Sequence, residues 1–183
     1  AFVARLYGMP YRHAVKFLSK LDGIKIDDNP EVWDRAVELL LQNKEAMDYL
    51  ASRGITADIV REYRLGYEGN GIVYPVMVNG VILDKRTYFF RREPGEPKIK
   101  SEFGASPALF PFDHWQKDKR DTLLCAGEND TLLARKLGFN AVTSTGGEGC
   151  FPDMFLGMFA GKRVYICYDC DEAGRKGAQQ VAF

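Results

Sequence analysis

Residues 121–183 read DTLLCAGENDTLLARKLGFNAVTSTGGEGCFPDMFLGMFAGKRVYICYDCDEAGRKGAQQVAF, and the rhythm of this stretch decides the fold. Thr122–Cys125 is a short apolar run, Gly127 turns the chain, and Thr131–Leu137 has helical composition. Gly138 stands where a helix C-terminus favours a left-handed residue. A second short strand over Asn140–Thr143 follows, then the loop Ser144–Gly149 and an apolar, helix-like segment from Pro152 to Ala160. The third run, Arg163–Tyr168, is rich in β-branched and aromatic residues; it ends in Asp169-Cys170-Asp171 and leads into a helix beginning near Glu172. Strands alternating with helices over short connections predict an α/β unit, a parallel sheet with covering helices. Ligands of such sheets gather at the carboxyl ends of the strands, and Glu128, Asp130, Asp169 and Asp171 all fall there.

Four carboxylates converging on one edge repel one another unless a cation joins them. Hard oxygen donors of this kind suit Mg²⁺ or Mn²⁺. In Asp-x-Asp at a strand end, alternation points both side chains the same way, so that Asp169 and Asp171 can share an ion. Asp130 and Asp171 can equally be read as caps of the helices after them.

Gly127-Glu128-Asn129-Asp130, then a helix, a strand, Gly146-Gly147 and Tyr168-Asp169-Cys170-Asp171-Glu172-Ala173-Gly174-Arg175, resembles a Toprim domain. That domain is shared by bacterial-type primases, phage primase–helicases, topoisomerases and some nucleases, and D-x-D-E-A-G-R is its primase form. The family opens with Glu-Gly-x-x-Asp, whereas this chain has Ala126 where that glutamate belongs. The resemblance assigns the missing glutamate to metal binding or acid–base work. Either Glu128 takes over, or this copy is inactive, or the residue is a deliberate knockout.

Working outward, 183 residues fit one domain or two small ones, and a composition of 46% hydrophobic and 27% charged residues is ordinary for a soluble globular chain. The formal net charge is zero, but it is unevenly spread. From Lys85 to Arg120 there are nine Lys/Arg against five Asp/Glu, a local +4, whereas residues 121–183 and 1–84 each carry −2. A basic middle beside an acidic end suits a nucleic-acid backbone on one side and metal on the other, although a solvated face has the same composition. Of the four cysteines, Cys167 and Cys170 form C-x-x-C with no second pair at zinc spacing. They read as structural, in a reducing, cytoplasmic compartment. No signal peptide or membrane-length apolar run occurs. The lack of an initiator Met and the stop inside a helix-like run at Phe183 read as a fragment of something longer.

The front of the chain is predicted helical. Two short helices are expected in Ala1–Leu21, where His13 has no second ligand at metal spacing, and Asp22–Asn29 reads as a linker. Pro30, with Asn29 as cap, opens a helix whose stripe is Trp33, Ala36, Val37, Leu40 and Leu41. Asn43 starts another, closed by Arg53-Gly54, and Thr56 a third that ends near Gly66. The period then changes. Ile72, Tyr74, Val76 and Val78 alternate before Asn79-Gly80, the strongest short hairpin signal, and Pro75 marks an edge strand or a strand end. Phe103, Phe110, Phe112 and Trp115 read as packing between subdomains.

The resemblance covers residues 45–183 and implies a DNA-dependent RNA primase core. It implies an α+β chain with a helical lead-in (1–66), a small basic β-rich subdomain (67–118) and a Toprim unit (119–183). It implies catalytic Glu128, Asp130, Asp169 and Asp171, with Mg²⁺ or Mn²⁺ on Asp169, Asp171 and Glu128. Asp84-Lys85-Arg86, Pro97-Lys98 and Ser106-Pro107-Ala108-Leu109-Phe110 resemble landmarks of the family's basic subdomain. Lys85, Arg86, Arg91, Lys98 and Lys100 would then guide nucleotide and template; a solubilising sheet edge is the alternative. The partners implied are single-stranded DNA, ribonucleoside triphosphates and a replicative helicase or fused helicase domain, and no membrane. No ATPase P-loop occurs in these residues. A Toprim nuclease and a nucleic-acid-binding relic that has lost turnover remain the rival readings.

Overall fold

The computed structural model describes residues 30–102 and 105–182. The expectations for Ala1–Leu21, His13, the Asp22–Asn29 linker, the Asn29 cap and Phe103 lie outside those residues. Three helices lead: α1 (Pro30–Gln42), α2 (Lys44–Ser52) and α3 (Ala57–Glu62). Of the stripe expected on α1, Trp33, Ala36, Val37 and Leu40 are buried and Leu41 is half-buried, facing α2, α3 and the first sheet. Asn43 caps α2 through its side chain, which accepts the Ala46 amide at 3.1 Å.

An antiparallel sheet follows in the order β1 (Gly66–Glu68), β2 (Gly71–Val78), β3 (Val81–Tyr88), β4 (Ile99–Lys100). Asn79 and Gly80 both have positive φ, 52° and 74°, as a tight turn that matches strand twist requires. Their two amides donate to the Asp113 carboxylate at 2.7 Å each, tying the hairpin to the chain after the sheet. One expectation needs correcting: Pro75 lies inside β2, an inner strand. β1 pairs with β2 only as far as Val73, so at Pro75 the strand has a neighbour on the β3 side alone. There the absent N–H costs no ladder bond on the open side. β2 is also buried on both faces through Val76, where alternation implied a single buried face.

The second sheet has the order β5-β7-β6-β8, from β5 (Leu109–Phe110), β6 (Thr122–Cys125), β7 (Asn140–Ser144) and β8 (Val164–Cys167). β6 is parallel to both β7 and β8, as the sequence predicts, and β5 runs antiparallel to β7 at one edge. The connections are α4 (Phe112–Lys117), α5 (Glu128–Lys136), a 3₁₀ helix (Asp153–Phe159) and, after β8, α6 (Glu172–Val181). Helix α5 begins three residues earlier than its composition implies, because Gly127 is the N-cap. The Pro152–Ala160 segment is helical but 3₁₀.

α5 packs its Ala134 on one face of this sheet, over Cys125 and Ala141. The other face buries Leu109, Trp115, Leu124, Val142 and Phe155. Trp115 is fully buried, and its indole N–H finds the Thr122 hydroxyl at 3.0 Å. The largest cluster runs from α1 through β2 to Phe110 and Leu132, so the helical lead-in and both sheets share one core.

The amino-terminal end of the parallel sheet is held by Asp118 and Arg120. The Arg120 guanidinium donates to both Asp118 oxygens and, at 2.6 Å, to the Gly138 carbonyl behind α5. Hydrogen bonding from Arg120 pulls the Asp118 carboxyl from 3.8 down to about 2. A depressed folded-state pKa contributes stability that is complete above the unfolded value and is lost as pH falls through the folded one. Asp118→Asn should therefore lower the melting temperature at neutral pH, and its deficit against the parent should close between pH 3.8 and about 2. Thermal melts across that window check this; a deficit that persists at the acid end would mean that the ion pair is not its source.

Candidate functional site

The carboxyl edge of the parallel sheet is where three short strands deliver the chain into loops. β6 ends at Cys125, and Ala126 and Gly127 carry the chain into α5. β8 ends at Cys167, so alternation does not reach Asp171, which corrects the strand-based argument for Asp169 and Asp171. Asp171 instead caps α6, its Oδ1 accepting the Gly174 amide at 2.8 Å. Asp169 lies in the turn between, exposed, and its backbone amide donates to Glu148 Oε1 at 2.6 Å. The turn is compressed against α6: a Cβ on Gly174 would run into the Asp169 carbonyl, and one on Gly177 into the Glu148 carbonyl. Two glycines three apart on one helix face were the signal available in the sequence for this close approach.

The first turn of α5 faces the antiparallel sheet. Glu128 is buried and accepts Arg86 Nε at 3.1 Å, while Arg86 Nη1 reaches the Ser101 hydroxyl at 2.7 Å. Asn129 accepts the Tyr74 hydroxyl at 2.6 Å. Burial pushes the Tyr74 phenol well above its ordinary value, which keeps it a donor. Tyr49 and Tyr88 join their hydroxyls beside this pair at 2.6 Å. Asp130 is exposed, with Arg53 at 3.8 Å. It occupies the third helical position, so it faces the positive helix end without capping it.

Asp169 and Asp171 thus share the β8 end of the edge, Asp130 stands at the β6 end, and Glu128 is turned to Arg86. Among the described residues no three His, Cys, Asp or Glu converge as metal ligands. Mg²⁺ in nucleotide enzymes is commonly held by one or two carboxylates, with waters and substrate phosphates supplying the rest. Asp169 and the second oxygen of Asp171 fit that demand by donor chemistry.

The basic residues divide into two groups. Lys85 pairs with both Glu68 oxygens at 3.0 Å and lies over the Trp33 ring; Arg86 is held by Glu128; Arg91 pairs with Glu45. Lys98 and Lys100 make no ion pair among the described residues and lie over Tyr88 and Phe89, 5.5 and 5.3 Å from the ring centres. Asp84 is buried; its Oδ1 accepts the Lys85 and Glu102 amides at 2.8 and 3.1 Å. It fastens β3 to the segment after β4, and burial raises its carboxyl pKa. The cysteines are all free thiols: Cys125 is buried, its thiol pushed up to about 12 by desolvation, and Cys150, Cys167 and Cys170 are exposed.

Arg86 and Glu128 bury opposite charges with side chains only 15% and 7% exposed. Removing one partner of such a pair strands the other, whereas replacing both with apolar groups can be nearly neutral. Arg86→Ala should destabilise the fold by about 3 kcal/mol, and Arg86→Met with Glu128→Leu should recover most of that loss. Urea titrations of the single and double variants test this. Equal losses in both would mean that packing, and not the stranded charge, sets the cost.

No protein-family model matches the chain. The DNA primase of Thermotoga maritima is 25% identical over an alignment of 234 residues that takes in 94% of this chain and 41% of that protein. The chain therefore spans about two fifths of the length of this curated relative. Among solved structures, the Aquifex aeolicus primase, comprising zinc-binding and RNA polymerase domains, superposes with a TM-score of 0.67 at 23% identity. That match covers 98% of this chain and 59% of the other. The Escherichia coli primase catalytic core gives 0.66 at 18% identity, over 82% of this chain and 64% of the other. The RNA polymerase domain of Mycobacterium tuberculosis primase DnaG, solved with double-stranded DNA, gives 0.65 at 18%, over 83% and 66%. The chain is thus similar in sequence, over nearly its whole length, to a DNA primase, and has a mixed α/β fold like that of the primase RNA polymerase domain.

Proposed function

We propose that this chain is the RNA-polymerising core of a DNA primase, which joins ribonucleotides on a single-stranded DNA template at a Toprim-type metal edge. The observation that carries this reading is the Asp169–Asp171 turn, exposed at the carboxyl end of β8 in a fold shared with primase catalytic cores. Asp169 and Asp171 would hold Mg²⁺ or Mn²⁺. Such an ion, when bound, lowers the pKa of a ribose 3′-hydroxyl and neutralises the pyrophosphate that leaves. Lys98 and Lys100, which have no ion pair among the described residues, offer charge to template or triphosphate oxygens, in contacts that are sequence-tolerant and salt-sensitive. Lys85, Arg86 and Arg91 are already neutralised by carboxylates; they act by shaping the basic sheet and the first turn of α5.

The three parts, 1–66, 67–118 and 119–183, work as helical lead-in, basic subdomain and Toprim unit, with β5 and α4 crossing from the second onto the parallel sheet. A helicase, separate or fused, is the partner this role calls for. No helix among the described residues is long and apolar enough to cross a membrane. A second reading, a nucleic-acid-binding relic without turnover, is favoured by one feature. Ala126 replaces the family's glutamate, and Glu128, the nearest substitute, is committed to Arg86.

The deciding experiment incubates the chain with single-stranded DNA, ribonucleotides and Mn²⁺ and looks for short RNA. Asp169→Asn with Asp171→Asn should abolish product and weaken Mn²⁺ binding by about tenfold or more. Ala126→Glu should raise synthesis by about tenfold or more, within the range acid–base groups contribute. If neither the parent nor Ala126→Glu makes RNA while both bind single-stranded DNA, the relic reading replaces the primase one. Lys98→Ala with Lys100→Ala should weaken single-stranded DNA binding and lower its log–log salt slope by about 1.4, on the order of 0.7 per phosphate contact. An unchanged slope would make these lysines a solvated face.

A further inference from the structure

We infer that Glu148 is the positioning residue of the Asp169–Asp171 turn: its carboxylate holds the Asp169 amide and so presents both aspartates at the sheet edge. The inference rests on the reading of that turn as the metal-binding element. Because β8 stops at Cys167 and α6 starts at Glu172, the Asp169 N–H belongs to neither ladder nor helix. A carboxylate 21 residues earlier in the chain takes it at 2.6 Å, a short contact to a charged acceptor.

Glu148 is itself placed firmly. Its loop is closed by Ser144 Oγ, which donates to the Cys150 carbonyl at 2.9 Å, and by the Gly147 amide, which donates to the Ser144 carbonyl at 3.0 Å. A Cβ on Gly146 would come within 2.7 Å of the Cys150 carbonyl oxygen, so the loop closes only around glycine. Helix α6 then lies against both ends of the Glu148–Asp169 bond, since Gly177 abuts the Glu148 carbonyl and Gly174 the Asp169 carbonyl. Loop, turn and helix lock one another. The bond engages the backbone of Asp169 and leaves its carboxylate available to a ligand. An edge that lacks a carboxylate at Ala126 therefore gains one from a different loop, in a supporting role.

Two variants and two readouts test this. Glu148→Ala removes the acceptor, whereas Glu148→Gln keeps a carbonyl oxygen in the same place and removes the charge. Hydrogen exchange at the Asp169 amide, followed by NMR, reports the hold on the turn without reference to metal. Mn²⁺ affinity by calorimetry reports its consequence. Glu148→Ala should speed Asp169 exchange by about tenfold and weaken Mn²⁺ binding by about tenfold, the lower range for losing a group that orients a metal ligand. Glu148→Gln should fall between the Ala variant and the parent in both, because a neutral carbonyl keeps the bond at reduced strength. Unchanged Asp169 exchange in Glu148→Ala overturns the inference. So does a Gln variant that binds Mn²⁺ as poorly as the Ala variant, because charge or direct ligation would then be at work. If the parent binds no Mn²⁺ while Glu148→Ala still loosens the turn, the metal reading of the edge falls and the hold on the turn stands.

Discussion

Glu128 and Asn129, the first two residues of α5, are fastened by Arg86 and Tyr74 to the inner strands of the other sheet. The rest of the architecture depends on this joint. α5 starts at the carboxyl edge of the parallel sheet, so whatever fixes its first turn also fixes that edge against the basic sheet. The far end of the helix is tied as well: Arg135 donates to the Tyr63 hydroxyl at 2.7 Å and Lys136 to the Gly54 carbonyl at 2.8 Å. A buried ion pair adds little net stability against an apolar replacement. What this one supplies is a directed contact between the first turn of α5 and strand β3.

The joint also decides how the acids of the edge divide their work. Glu128 stands two positions after Ala126 and opens α5 at this edge. Its Oε1 satisfies a buried guanidinium, which turns the side chain toward β3. The β8 end of the edge is differently made. Asp171 spends one oxygen on the α6 cap, Asp169 is engaged through its backbone, and Glu148 supplies that backbone partner. The cap reading and the ligand reading of Asp171 are thus compatible, because a carboxylate has two oxygens and the amide takes one.

Charge shows the same division. The +4 of the segment from Lys85 to Arg120 is a count of residues, whereas the field outside the protein depends on which of them are already paired. Lys85, Arg86 and Arg91 meet glutamates brought in from β1, α5 and α2. Lys98 and Lys100, on and just before β4, keep their charge and rest on aromatic rings. A nucleic-acid backbone would meet those two first.

Much of the frame was legible in the sequence because it is written in local chemistry. Short apolar runs alternating with helical ones required parallel strands, Asn79-Gly80 required a tight hairpin, and Asn43 and Gly138 marked helix ends where they stand. The placing of Asp169 and Asp171 at a strand's carboxyl edge follows from the same alternation. Only the tertiary structure could decide which charges are spent. Arg86 and Glu128 are 42 residues apart, and Glu148 and Asp169 are 21 apart, so no periodicity links them. The early start of α5 came from Gly127 acting as cap with its first turn docked by Arg86 and Tyr74, although composition placed the helix later. Pro75 sits in an inner strand because β1 is too short to reach it, and strand length is a property of the packed sheet. Local sequence determines where a carboxylate can stand; the partner that reaches it through space determines what that carboxylate is free to do.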